Sequence, residues 1–118
     1  MTNEYWQEEI ETMSRPELEK LQTERLKATI KQAQNAPFYK KLFKEKGLTE
    51  ETITNLEDLK KFPFTTKEDL RSHYPFGFAA VPHNEIVRLH SSSGTTGNPT
   101  VVLHTQKDLD TRADQVAR

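Results

Sequence analysis

Between His90 and Thr100 the chain reads His-Ser-Ser-Ser-Gly-Thr-Thr-Gly-Asn-Pro-Thr, a set of residue types suited to an anion. The hydroxyls of Ser91, Ser92, Ser93, Thr95 and Thr96 donate hydrogen bonds without adding charge, and Gly94 and Gly97 let backbone N–H groups come close and adopt positive φ. Such a loop suits a polyphosphate that already carries Mg²⁺. It is not a Walker A element, which needs Gly-Lys five residues after the first glycine, where this chain has Pro99. Gly94-Thr95-Thr96-Gly97 also satisfies the GXXG pattern of a KH domain, but that module wants flanking helices and nearby basic residues. Here the neighbours are strand-like apolar runs around a neutral loop. On composition alone a tight hairpin connection remains open, since Gly, Ser and Thr are common turn formers.

The other chemistry-bearing residues form no constellation. His73, His83, His90 and His104 are separated by 10, 7 and 14 residues, which matches no zinc-binding spacing. The absence of cysteine removes a disulfide framework, thiolate metal sites and a nucleophilic-cysteine mechanism. No Gly-x-Ser-x-Gly elbow supports a serine hydrolase. The acidic pairs Glu8-Glu9, Glu50-Glu51 and Glu57-Asp58 read as solvated faces or helix starts. We assign no residue a catalytic or metal-ligating role, and read Tyr5 and Trp6 as docking the N-terminus.

The loop must be held by what surrounds it. Glu85–His90 and Thr100–Thr105 read as strands on either side, followed by a helix from about Gln106 whose N-terminal end suits Asp108 and Asp110. Upstream, Ser14-Arg15-Pro16-Glu17 fits a capping box that opens a helix with Leu18, Leu21, Leu26, Ile30 and Ala33 on one side, ending near Asn35. Pro37 opens a second helix carrying Tyr39, Leu42 and Phe43, closed by Gly47. Short helical segments are expected near Glu50–Ile53 and Leu56–Lys61, and Thr66 is read as the N-cap of a helix stopped by Tyr74-Pro75. The Pro75–Asn84 stretch reads as a loop too apolar to be a solvated linker. The fold class expected is thus an α/β fragment: a mainly helical region over 1–84, then strand, glycine-rich phosphate loop (91–100), strand and the start of a helix over 85–118.

Apolar residues make up 33% of the 118, and four glycines do not lift that to the roughly 45–50% of ordinary soluble domains. The core is thin, yet a net charge of −1 from 17 basic and 18 acidic residues does not favour disorder. This balance commits no face to nucleic acid or to a membrane, and neither is expected as a partner. The acidic N-terminus lacks a signal peptide's apolar stretch and no run of 18 apolar residues occurs, so a cytoplasmic location is expected. Thin-core helices with apolar faces also fit a second class of function, a helical interaction module that pairs with its own copy as a homodimer or with a separate remainder.

Ser93 to Pro99 reproduces without a gap the Ser-Gly-Thr-Thr-Gly-x-Pro signature of adenylate-forming enzymes, and the Pro99-Thr100-Val101-Val102 ending is similar to the phenylacetate–coenzyme A ligase branch. Tyr5-Trp6, Ala36-Pro37-Phe38-Tyr39, Leu56 through Leu59, Phe62-Pro63-Phe64-Thr65-Thr66-Lys67-Glu68-Asp69-Leu70-Arg71 and Tyr74-Pro75-Phe76-Gly77 occur in the order expected at the start of such a ligase. Asn98 departs from the pattern, since many members of that branch have lysine there. The resemblance implies a parent enzyme several times longer, with ATP, Mg²⁺ and coenzyme A as co-substrates and phenylacetate or a related aryl acid as substrate. It implies a phosphate grip made by Ser92, Ser93, Gly94, Thr95, Thr96 and Gly97, and a 118-residue piece that is inactive alone.

Overall fold

A computed structural model of the chain describes residues 4–92 and 97–118. Helices α1 (Glu8–Glu11), α2 (Arg15–Ala33), α3 (Pro37–Lys46) and α4 (Lys67–Ser72) precede an antiparallel hairpin of β1 (Arg88–Ser91) and β2 (Val101–His104), and α5 (Gln106–Ala117) follows. Three short 3-10 turns lie at Glu50–Thr52, Leu56–Lys61 and His83–Glu85.

Local chemistry sets most helix boundaries. The carboxylate of Glu17 accepts from the Ser14 N–H at 3.1 Å and Pro16 sits in the first turn of α2, the expected capping box. Helix α2 stops at Ala33 with Gln34 as its cap, slightly before Asn35. Pro37 opens α3, and Gly47 ends it at φ 64°, a left-handed conformation that favours glycine. Thr66 and Thr105 cap α4 and α5, each through a threonine hydroxyl that accepts from the N–H of the aspartate three residues on, 3.2 Å in both cases. Helix α1 was not anticipated; it consists of one turn closed by Gln7 and Glu8 carbonyls.

Ile30, Phe43 and Ile53 form the core, with Leu26, Ala33, Tyr39, Leu42, Leu48 and Phe62 packed around them. Each well-buried side chain of this size contributes about 1.5–3 kcal/mol. Leu18 and Leu21, on the same side of α2, reach only half-burial because nothing among the described residues covers that end fully. A second layer is aromatic: Phe78 stacks on Phe38 with centroids 4.5 Å apart, and Tyr39 and His73 meet Phe38 edge-on at 5.1 and 4.9 Å. The apolar Pro75–Asn84 stretch therefore does pack, with Gln32 also donating to the Ala80 carbonyl at 2.7 Å. The radius of gyration is 16.8 Å, against roughly 13.5 Å for a compact chain of this length, which agrees with the thin core.

The first strand begins later than its apolar pattern suggests. Glu85 closes a 3-10 turn, its N–H bonded to the Pro82 carbonyl and that of Ile86 to His83, so the first residues of the Glu85–His90 run are spent on a turn and the strand extends to Ser91. In β2, Thr105 leaves the ladder to cap α5. The register pairs Arg88 with His104, Leu89 with Leu103, His90 with Val102 and Ser91 with Val101.

Candidate phosphate site

The glycine-rich stretch of the sequence lies between β1 and β2, at the closed end of the hairpin. Just past the Ser91–Val101 pair, the Ser92 N–H donates to the Thr100 carbonyl at 3.1 Å, and the Ser92 and Thr100 hydroxyls share a hydrogen bond. These contacts form a collar of Ser92 and Thr100 just beyond the last ladder pair. The Ser92 hydroxyl, counted in the sequence as a free donor, is engaged by Thr100. Gly97 has φ 79° with nothing within 4 Å of where a Cβ would stand, so backbone conformation rather than crowding favours glycine there. Ser93, Gly94, Thr95 and Thr96 lie outside the described residues. Of the six expected grip residues, only Ser92 and Gly97 are therefore placed, at the two ends of the loop.

One neighbour was not anticipated as part of this site. Helix α4 brings Glu68, Arg71 and Ser72 against Gly97 and Asn98 around a pocket of about 300 Å³. The Nε of Arg71 is shielded from solvent and has no hydrogen-bond partner among the described residues. In the same helix, Asp69 is tied to the N-terminus of α4 by the N–H and hydroxyl of Thr66, at 2.7 and 2.8 Å, and these bonds hold its carboxyl below the ordinary aspartate value. Arg71 stands within the Phe62–Arg71 run that carried the family resemblance, but no spacing rule predicts that it shares a pocket with Gly97 and Asn98.

A larger groove of about 990 Å³ lies elsewhere, between α2, the Phe78–Val81 segment, β2 and the start of α5. Its lining includes neither Ser92 nor Gly97, and it is mostly apolar, so it is separate from the anion site. His104 borders it, with an Nδ1 that is buried and unpartnered among the described residues, and its ring meets that of His90 at 5.2 Å across the hairpin. His73 is within 2.9 Å of the Asp69 carbonyl through Nδ1, and His83 lies against Phe76. At the other end of the chain the Trp6 indole donates to Asp114 at 3.1 Å, tying the N-terminus to α5 while 59% of the residue stays exposed.

No protein-family model matches the chain. Comparison with solved structures finds 2-hydroxyisobutyryl-CoA ligase. In its postadenylation state with an acyl-AMP that protein superposes with a TM-score of 0.83 at 32% identity, over 98% of this chain and 25% of that one. In its thioesterification state with 2-HIB-AMP and CoA the TM-score is 0.79 at 35% identity, over 91% and 24%. Over the part it covers, this chain has the fold of an adenylate-forming CoA ligase. Sequence narrows the class: phenylacetate–coenzyme A ligase of Aromatoleum evansii is 54% identical over 112 residues, 94% of this chain and 26% of that enzyme. The Escherichia coli K12 enzyme of the same name is 54% identical over 110 residues, 92% and 25%. Over the segment compared, about half of the residues are identical to those of phenylacetate–coenzyme A ligases, and the chain spans about a quarter of the length of the curated relatives it matches.

Proposed function

We propose that this chain supplies the polyphosphate grip of an acid–thiol ligase that activates phenylacetate, or a related aryl acid, with ATP and passes the acyl group to coenzyme A. The observation that carries the reading is the 54% identity to phenylacetate–coenzyme A ligases across a segment that includes the collared glycine loop. In the first half-reaction a carboxylate oxygen bonds to the α-phosphorus of ATP while the bond to the bridging oxygen breaks, leaving acyl-AMP and pyrophosphate. In the second, the CoA sulfur bonds to the acyl carbon, AMP leaves with the carboxylate oxygen, and the thiol proton passes to solvent or a base.

Charge builds on the departing pyrophosphate during the first step. Ser92, Ser93, Gly94, Thr95, Thr96 and Gly97 act there by position, offering backbone N–H and hydroxyl groups to the β- and γ-phosphates. Among the described residues no group of three His, Asp or Glu stands together that could hold a metal ion. Magnesium would arrive on the nucleotide.

The adenine, ribose and most acyl contacts would lie in the three quarters of the relatives' length that this chain does not span, so the 118-residue chain alone is proposed to be inactive. Phenylacetate-dependent ATP–pyrophosphate exchange by this chain above a Gly94→Val control would refute that. The grip itself is tested by amide NMR with Mg·ATP: shifts centred on 91–100 support it, and a folded spectrum without them refutes it for this chain. Exposed Phe64, Val116 and Leu59 favour a second reading, in which the helical region pairs with another chain or with its own copy. A monomer by sedimentation at micromolar concentration argues against self-pairing. Among the described residues no helix is long and apolar enough to cross a membrane, and a cytoplasmic site of action belongs to the same proposal.

A further inference from the structure

From His90 to Thr100 the chain carries no lysine or arginine. A grip made only of N–H and hydroxyl groups orients a polyphosphate but leaves most of its charge uncompensated. Among the described residues, the pocket beside Gly97 and Asn98 is lined by one permanent cation, which comes from the helical region. Arg71 of α4 lines the pocket that Gly97 and Asn98 close from the other side. A guanidinium keeps its charge and presents five donors in a planar fork that matches phosphate oxygens two at a time. Leaving such a donor shielded and unpaired is costly, yet the Arg71 Nε has no acceptor among the described residues. The nearby carboxylate of Glu68 accepts from the Ser72 hydroxyl at 3.2 Å, and no ion pair joins it to Arg71 among the described residues.

Resting on the phosphate-grip reading, we propose that Arg71 is a binding residue of the same site: it takes a terminal phosphate oxygen of the nucleoside triphosphate, or of pyrophosphate, across the pocket from Asn98. The recognition is then shared between two parts of the fold, with donors from the hairpin loop and charge from α4. Asn98 lines that pocket as a neutral residue, so a cation placed at position 98 would stand close to where the guanidinium acts.

Pyrophosphate is the probe, titrated into the 118-residue chain and followed by amide NMR at several salt concentrations. The unsubstituted chain should show saturable shifts around Ser92 and Gly97–Thr100. Arg71→Gln should weaken binding roughly 10- to 100-fold, as expected for a lost charge-assisted hydrogen bond, and flatten its salt dependence while leaving the rest of the spectrum in place. Arg71→Lys should recover part of the affinity, and so should Asn98→Lys added to Arg71→Gln, because it returns a cation to the same pocket. Unchanged affinity in Arg71→Gln overturns the Arg71 inference and leaves the loop reading standing. Weakened binding that neither lysine restores, with shifts spread over the chain, assigns Arg71 a structural role and also overturns it. No shifts in the unsubstituted chain overturn both readings.

Discussion

Gly77 is the residue on which the placement of α4 depends, and Gly77→Ala is the substitution that tests it. A Cβ built there would stand 2.3 Å from the Cβ of His73, 2.7 Å from its carbonyl oxygen and 3.2 Å from its Cα. None of these atoms lies at the far end of a flexible side chain, so relief requires the backbone to move. The same peptide carries two bonds, from the Gly77 N–H to the His73 carbonyl and from the Phe38 N–H to the Gly77 carbonyl, both 2.9 Å. Overpacking of this kind costs about 1–3 kcal/mol, and loss of one bond adds about 1 kcal/mol. We expect a total of about 2–4 kcal/mol, or a drop in Tm of roughly 8–16 °C for a chain of this size, read by far-UV circular dichroism in thermal and urea unfolding. Gly47 provides the contrast. Nothing lies within 4 Å of its virtual Cβ, and its requirement is the positive φ alone. Gly47→Asn should therefore cost only a few tenths of a kcal/mol, asparagine being tolerant of that region, whereas Gly77→Asn should be as damaging as Gly77→Ala. A Gly77→Ala chain within about 0.5 kcal/mol of the parent would refute the reasoning, since it would mean that His73 and Gly77 are not in the contact described.

Two further outcomes follow from the caps and the core. Thr66→Ala should cost about 1 kcal/mol by removing the α4 cap. Because the Thr66 bonds hold the Asp69 carboxyl below its ordinary value of 3.8, their contribution is fully present above that value and is lost as pH falls through the lowered one. Urea midpoints taken from pH 6 to pH 2 should accordingly fall less steeply in Thr66→Ala than in the parent, and parallel curves would contradict the assignment. Ile53, with 0% exposure, and Phe64, with 97%, set the limits of the packing argument: Ile53→Ala should lose about 2–5 kcal/mol and Phe64→Ala less than about 0.5 kcal/mol. A large loss from Phe64→Ala in a monomeric chain would show that this ring packs on something that the fold described here does not contain.

The parts of this fold that were legible in the sequence are those decided within a few residues. Ser14 with Glu17, Thr66 with Asp69, and Pro37 with Gly47 each satisfy helix-end groups locally, so type and spacing suffice to find them. The apolar spacing of α2 also held, but periodicity tells which residues share a side and not how much of that side is covered, hence Leu18 and Leu21 at half-burial. Strand β1 was displaced because Glu85 and Ile86 satisfy a turn through backbone carbonyls of Pro82 and His83, a competition that side-chain patterning does not register. The loop's ends at Ser92 and Gly97 were expected in the site. Arg71 was not, because its sharing a pocket with Gly97 and Asn98 joins parts of the chain about 26 residues apart, which no local spacing encodes.

The position of Arg71 depends on how the short helix that carries it is anchored. The Phe38–Phe78 stack and the Gly77–His73 contact fix the chain immediately after α4, while Thr66 fixes its start; α4 is only six residues long, too short to be stable without such anchors. On the other side, the Ser92–Thr100 collar fixes where the glycine loop departs from the hairpin. Helix α4 is thus held from outside itself, and the 300 Å³ pocket lies between its Glu68, Arg71 and Ser72 and the described residues Gly97 and Asn98. If Arg71 and the loop act on one polyphosphate, damage at Gly77 must reach pyrophosphate affinity through α4, since Gly77 is not among the residues that line the pocket. A milder change in the same layer, Phe78→Leu, should then weaken pyrophosphate binding several-fold in chains that remain folded, with a smaller effect in an Arg71→Gln background. Equal effects in the two backgrounds would mean that the aromatic layer and the phosphate site are independent.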